Sequence, residues 1–253
     1  EKDNILISDL GNDVIQGGAG DDNIYGGAGD DVIDGGAGDD VINDGEGDDI
    51  VDAGDGIDTY TRNFDSTQTF TENGQTWVPH VDLVNEGLFS PDFPGVKGDE
   101  LKNFENVVLE GSSDVIVTGD DNDNAITTGS GNDIIDGGAG DDVIDGGAGD
   151  DVIDGGAGDD IIDNGSGNDF IYGKDGNDTF YNWSGTDYYD GGEGIDTIIS
   201  DFSSEKIEGI VDPQSFDFYL NLEEQIHGLP EWTTAPDTVI NVENYTLIGD
   251  FNA

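Results

Sequence analysis

Cysteine is absent from the 253 residues, and lysine and arginine together number 6 against 60 aspartates and glutamates. Without thiols there is neither a disulfide framework nor a zinc-thiolate site. With a formal charge of -54 and no basic stripe, the chain offers no complementary face to nucleic-acid phosphates or to an anionic membrane surface. No apolar run approaches the roughly 18 residues that a membrane-spanning helix needs, and the first residues lack the charged and apolar regions of a signal peptide. Histidine occurs twice, as His80 and His227, and neither belongs to an H-E-x-x-H motif or to a nucleophile-base pair. This composition does not fit a conventional globular enzyme. Its natural complement is a cation.

What is abundant is aspartate and glycine, the latter 42 times. High charge with much glycine ordinarily marks a disordered acidic linker that cannot bury a core. Periodicity argues otherwise. The nine residues Gly17-Gly18-Ala19-Gly20-Asp21-Asp22-Asn23-Ile24-Tyr25 recur as 26–34 and 35–43, and 44–52 and 53–61 keep the fourth-position glycine, the sixth-position aspartate and a large apolar eighth position. A partial copy with Gly11, Asp13 and Ile15 precedes them. A second array runs from 128 to 199, with eighth positions Ile135, Ile144, Ile153, Ile162, Ile171, Phe180, Tyr189 and Ile198. Those residues alternate with their neighbours as a period-two strand requires, which predicts an inward-facing stacked core.

The pattern G-G-x-G-x-D-x-U-x resembles the repeats-in-toxin (RTX) family, whose nonapeptides bind calcium. The resemblance implies an all-β fold, a parallel β-roll or nonapeptide β-solenoid, in which six residues turn, three form a strand and two nonapeptides complete a coil. It implies calcium as cofactor, with about ten or more ions by counting aspartates eighteen residues apart. The ligands it implies are the sixth-position aspartates Asp13, Asp22, Asp31, Asp40, Asp49 and Asp58 in the first array, and Asp133, Asp142, Asp151, Asp160, Asp169, Asp178, Asp187 and Asp196 in the second. Glycines of the turns join them: Gly18, Gly20, Gly27, Gly29, Gly36, Gly38, Gly138, Gly140, Gly147, Gly149, Gly156 and Gly158. At the array edges Asn124 replaces an aspartate and Val115 offers no carboxylate.

Stacked strands lie roughly 4.8 Å apart, so aspartates such as Asp142 and Asp160 become neighbours. One calcium ion with oxygen ligands at about 2.3 to 2.6 Å spans that gap. Without it, two carboxylates about 5 Å apart repel by roughly 3 kcal/mol at an effective dielectric near 20. Summed over the arrays this exceeds the stability of a domain, which predicts an unfolded cation-free chain and a folded calcium-bound one. First-, second- and fourth-position glycines are expected at positive φ or where carbonyls approach the ion. Magnesium suits an irregular, carbonyl-rich cage poorly. Gly-x-Gly here leads into Asp-Asp rather than a phosphate-binding helix, and no EF-hand loop is present, Asp121-Asn122-Asp123 notwithstanding.

Four segments are expected: a β-roll block over 3–61, a connector over 62–109, a second block over 110–199 and a connector over 200–253. The connectors resemble each other, with Phe104-Glu105-Asn106 in one and Val242-Glu243-Asn244 in the other. Two readings of the ends stay open: a window of a longer tandem protein, or a subunit that joins head to tail. The connector aromatics, among them Tyr60, Phe64, Phe70, Trp77, Phe89, Phe93, Phe104, Phe202, Phe216, Phe218, Tyr219 and Trp232, are read as caps over open rungs, with a carbohydrate platform as the unsupported alternative. Trp183 marks an irregular rung. Seventh-position Val14, Val32, Ile50, Ile134, Val152 and Phe170 should form an outward apolar stripe, explained either by lateral self-association or by ordinary strand propensity. Ninth positions lack the rank of threonine or asparagine that ice binding would want.

Paired carboxylates are too numerous to single out an acid-base pair, so the expected role is non-enzymatic. The resemblance implies secretion through a type I system and folding at the bacterial surface or outside it. The reading is a spacer or assembly domain of an adhesin, surface layer or filament; the alternative is an auxiliary module of an exoenzyme or toxin whose catalytic part lies elsewhere.

Overall fold

The computed structural model describes residues 2–64, 71–72, 75–76, 78–84, 87–89, 100–182 and 184–201, with the strands Asp217–Tyr219, Thr238–Ile240 and Asn244–Ile248. It is an all-β parallel β-solenoid of about nine turns. No helix among the described residues is long and apolar enough to cross a membrane.

Successive nonapeptides feed opposite sheets. Strands Asn23–Tyr25 and Val41–Asn43 pair in parallel within one sheet, Ile24 facing Ile42. The intervening strands Val14–Ala19, Val32–Ala37 and Ile50–Asp55 stack in the other, with Ile15, Ile33 and Val51 in register. Each coil therefore takes eighteen residues, and each strand meets its partner one coil on. The eighth position faces inward throughout: Ile24, Ile42, Ile144, Ile153, Ile162, Ile171 and Phe180 are at most 1 % exposed. These side chains form one continuous core cluster from Ile24 to Ile198, and branched residues suit this pleated, two-sided packing. The seventh-position stripe faces outward as expected, Val14 at 78 % exposure and Val32, Ile50, Ile134, Val152 and Phe170 between 38 % and 50 %.

The first connector re-enters the roll without breaking it. Thr59–Phe64 pairs directly with Asn106–Gly111 across a 47-residue step, and Asn106–Gly111 then pairs with Ala125–Thr127 of the second array. In the other sheet three connector strands intervene. Ile50–Asp55 pairs with Glu100–Lys102, Gly87–Phe89 lies antiparallel between Glu100–Lys102 and His80–Asp82, and His80–Asp82 runs parallel to Ile116–Thr118. Tyr60, Phe64 and Phe104 are buried at this junction, Tyr60 and Phe104 meeting edge-on at 5.6 Å between ring centroids. They extend the core across the seam. The side chains of Phe70, Trp77, Phe89, Phe93, Trp183, Phe202, Phe216, Phe218, Tyr219 and Trp232 lie outside the described residues. At the second connector Thr197 again faces a residue 47 positions on, Asn244, in a parallel pairing of Thr197–Asp201 with Asn244–Ile248.

His80 serves structure. Its Nε2 lies 2.9 Å from Thr118 Oγ1 of the adjacent strand, and burial lowers its pKa. His227 is outside the described residues.

Candidate metal centre

The six-residue turns stack on two flanks of the roll. The first flank holds the turns that lead into the sheet of Asn23–Tyr25, with Asp22, Asp40, Asp58, Asp142, Asp160, Asp178 and Asp196. The second holds those that lead into the sheet of Val14–Ala19, with Asp13, Asp31, Asp49, Asp133, Asp151, Asp169 and Asp187. The expected aspartates are thus brought together in two ladders, and apart from Asp13 all of them are at most 2 % exposed.

Within a ladder each carboxylate plays two parts. One oxygen accepts a backbone N–H from the aspartate one coil earlier: Asp22 N–H donates to Asp40 Oδ1 at 2.7 Å, Asp142 N–H to Asp160 Oδ1 at 2.9 Å, Asp151 N–H to Asp169 Oδ1 at 2.9 Å. At the array edges the donors are Val115 N–H to Asp133 and Asn124 N–H to Asp142, so a residue without a carboxylate still takes part as donor. The other oxygen, Oδ2, is buried with no hydrogen-bond partner in Asp22, Asp31, Asp40, Asp58, Asp142, Asp151, Asp160 and Asp178. A buried carboxylate oxygen without a donor or a cation is expensive. The strain shows in the acidities. Burial, opposed by the N–H bond and reinforced by neighbouring carboxylates, pushes Asp142 up to about 6 and Asp151 and Asp160 up to about 7.

The free oxygens share a small space with a backbone carbonyl of the next coil. A Cβ added at Gly17 would fall 2.5 Å from Asp22 Oδ2 and clash with Gly35 O; at Gly137 it would meet Asp142 Oδ2 at 2.6 Å and Gly155 O. Gly155 and Gly173 repeat this with Asp160 and Asp178. The first-position glycine is there to leave room. Its φ is ordinary, unlike those of Gly18 and Gly20 at 108° and 123°, so of the two expected reasons for glycine, positive φ applies at the second and fourth positions and close approach at the first. Among the described residues no three acidic or histidine side chains converge on a point, so a cation in the cradle would be held by paired carboxylates and backbone carbonyls. That all-oxygen, irregular set fits calcium better than zinc or magnesium. A bound divalent ion would supply the positive charge that the buried oxygens lack.

Two participants were not apparent from the sequence. Glu105, near the end of the connector, takes the aspartate's place, its Oε2 accepting Asp58 N–H at 2.8 Å. Only the 47-residue step reveals it, since the nonapeptide period places partners eighteen residues apart. Asp44, in a first position, is fully buried and accepts from Tyr60 Oη at 3.2 Å and Arg62 Nη1 at 3.3 Å. Arg62 lies in turn over the Phe64 ring at 5.5 Å.

The sequence matches the family model described as RTX calcium-binding nonapeptide repeat (4 copies) over residues 1–33, 25–60, 110–144, 127–162 and 163–198. These segments cover nearly all of both arrays and leave out both connectors. No curated protein matches the chain. With the nonapeptide turns, the paired aspartate ladders and more than half of the residues matched, the chain belongs to the RTX calcium-binding repeat family, and its arrays form a calcium-binding repeat domain.

Proposed function

We propose that this chain is an extracellular structural element whose rolls fold when calcium fills the aspartate ladders, and that it acts as a spacer or assembly domain of a surface adhesin, surface layer or filament rather than as a catalyst. The observation that carries the reading is the set of buried Oδ2 atoms of Asp22, Asp31, Asp40, Asp58, Asp142, Asp151, Asp160 and Asp178, which have no hydrogen-bond donor among the described residues. At the submicromolar calcium of a bacterial cytoplasm such a row opposes folding; at millimolar calcium outside, ligand binding and folding become one equilibrium. The aspartates proposed to hold the ions are the sixth-position residues of both arrays, aided by carbonyls of the turns. A spacer role is supported by the sheet geometry. Because Thr59–Phe64 joins Asn106–Gly111 strand to strand, both arrays share one core and would stiffen as one rod.

Far-UV circular dichroism during a calcium titration, with magnesium as control and light scattering recorded in parallel, tests this. The expected result is a coil-to-β transition specific to calcium, with a rise in scattering if the folded rods also associate. Full β-structure in chelator at neutral pH would overturn the proposal.

A further inference from the structure

The two flanks differ at the first position of their turns. On the first flank it is glycine at 17, 35, 119, 137, 155, 173 and 191, with Ala53 the exception; on the second it is Ser8, Gly26, Asp44, Glu110, Thr128, Gly146, Asn164 and Asn182. Ser8, Thr128 and Asn164 point their side chains into the cradle that a glycine leaves empty. Asn164, fully buried, donates Nδ2–H to Asp169 Oδ2 at 2.7 Å, the oxygen that in neighbouring Asp151 has no partner. Tyr189 Oη, also buried, donates to Asn164 Oδ1 at 2.8 Å and so fixes the amide with its donor toward the carboxylate. Thr128 Oγ1 donates to Gly146 O at 2.9 Å, the carbonyl equivalent to the one that borders the cradle at Gly17. Ser8 Oγ donates to Asp13 Oδ2.

We infer that Asn164 is a built-in substitute for a cation: its amide occupies the cradle and satisfies Asp169, so the turn 164–169 takes no calcium at Asp169 Oδ2 while the glycine turns on either flank do. The inference rests on the calcium reading of the ladders and makes them unequal, with first-flank turns loaded and second-flank turns partly self-satisfied. A donor amide repels a cation as well as filling its space, so the exclusion does not depend on fit alone.

Equilibrium dialysis of the full chain at saturating calcium, with circular dichroism to verify folding, gives ions bound per chain. Asn164→Gly opens the cradle and is expected to bind one more ion than the wild type. Asn164→Asp, which keeps the Tyr189 contact but replaces the donor with a ligand, is expected to gain one as well and carries the test if the glycine variant does not fold. An unchanged count in either folded variant overturns the inference. Anomalous scattering from wild-type crystals grown in calcium decides it without a variant: density beside Asp160 Oδ2 and none beside Asp169 Oδ2 supports it, and density at both overturns it. A wild-type chain that binds no calcium at all overturns the calcium reading together with this one.

Discussion

The two flanks of one roll are built from the same nonapeptide and are wound by the same coils, yet they solve the buried-carboxylate problem differently. On the first flank, the glycines at 137, 155 and 173 leave a space bordered by a carboxylate oxygen and a carbonyl, and no side chain among the described residues donates to that oxygen. On the second, Asn164 and Thr128 put donors into the equivalent space, and Asp44 adds a further carboxylate that Arg62 neutralises and Tyr60 hydrogen-bonds. On the inference drawn above, metal dependence would be graded within a single solenoid. It would follow the first residue of each turn rather than the aspartate common to all of them.

The largest effect that can test this difference is removal of calcium at different pH. Asp58, Asp142 and Asp178 are raised to about 6 and Asp160 to about 7, chiefly by burial. A folded-state pKa above the unfolded value of about 3.9 means that the folded form binds the extra protons, so stability is fully present below the unfolded pKa and is lost as pH rises through the folded one. In chelator the roll should hold β-structure near pH 4 and lose it between about pH 6 and 7, and calcium should abolish that dependence. Circular dichroism across pH with and without chelator checks it. A cation-free roll most stable at pH 8 would refute the account.

Next in size is Arg62→Ala. Arg62 is the second flank's own cation, and removing one partner of a buried pair costs about 3 to 5 kcal/mol; Tyr60 Oη still donates to Asp44, which places the expectation at the lower end. The loss should appear in urea denaturation at saturating calcium, where an empty ladder cannot be the cause. Asp44→Asn in the same background should recover most of it.

Much of this organisation was legible in the nine-residue period. Ile24, Ile42, Ile144 and Ile162 alternate with their neighbours as inward strand positions do, and the eighteen-residue neighbours Asp142 and Asp160 follow from the two nonapeptides per coil that the family resemblance implies. Three features were not legible. The N–H of one aspartate binding the carboxylate of the next depends on the pitch of the turn, which composition does not encode. Glu105 was hidden because the connector changes the step from 18 to 47 residues. The inequality of the flanks was present as Ser8, Asp44, Thr128 and Asn164, but it reads as random degeneration until alternate nonapeptides are assigned to opposite sides.

A smaller effect separates the flanks directly. Asp160→Asn and Asp169→Asn remove the same charge one nonapeptide apart. At Asp160 the carboxylate has an unpartnered oxygen and faces the cradle, so the variant should bind one ion fewer and shift the calcium midpoint of folding upward by about tenfold, equivalent to about 1.4 kcal/mol. At Asp169 both oxygens are already engaged, by Asp151 N–H and by the Asn164 amide, so the ion count should stay the same and the midpoint should move by less than about twofold, about 0.4 kcal/mol. Equal shifts would show that the flanks load alike.

The smallest expected effect asks whether the first-position rule needs burial. Ser8 stands where Asn164 stands, and its hydroxyl reaches Asp13 Oδ2 in the same way. The surroundings differ: Ser8 and Asp13 are half-buried, beside Ile7 at 75 % and Leu10 at 83 % exposure. Water can solvate a carboxylate there, so the serine donor replaces little that solvent would not supply, and a hydrogen bond in such a place is worth about 0.5 to 1 kcal/mol at most. Ser8→Gly should leave the calcium midpoint of the whole chain within about twofold, about 0.4 kcal/mol, of the wild type, while Asn164→Gly changes the ion count. If Ser8→Gly instead adds an ion as Asn164→Gly does, the space left by the side chain, and not the desolvation around it, is what sets where calcium binds.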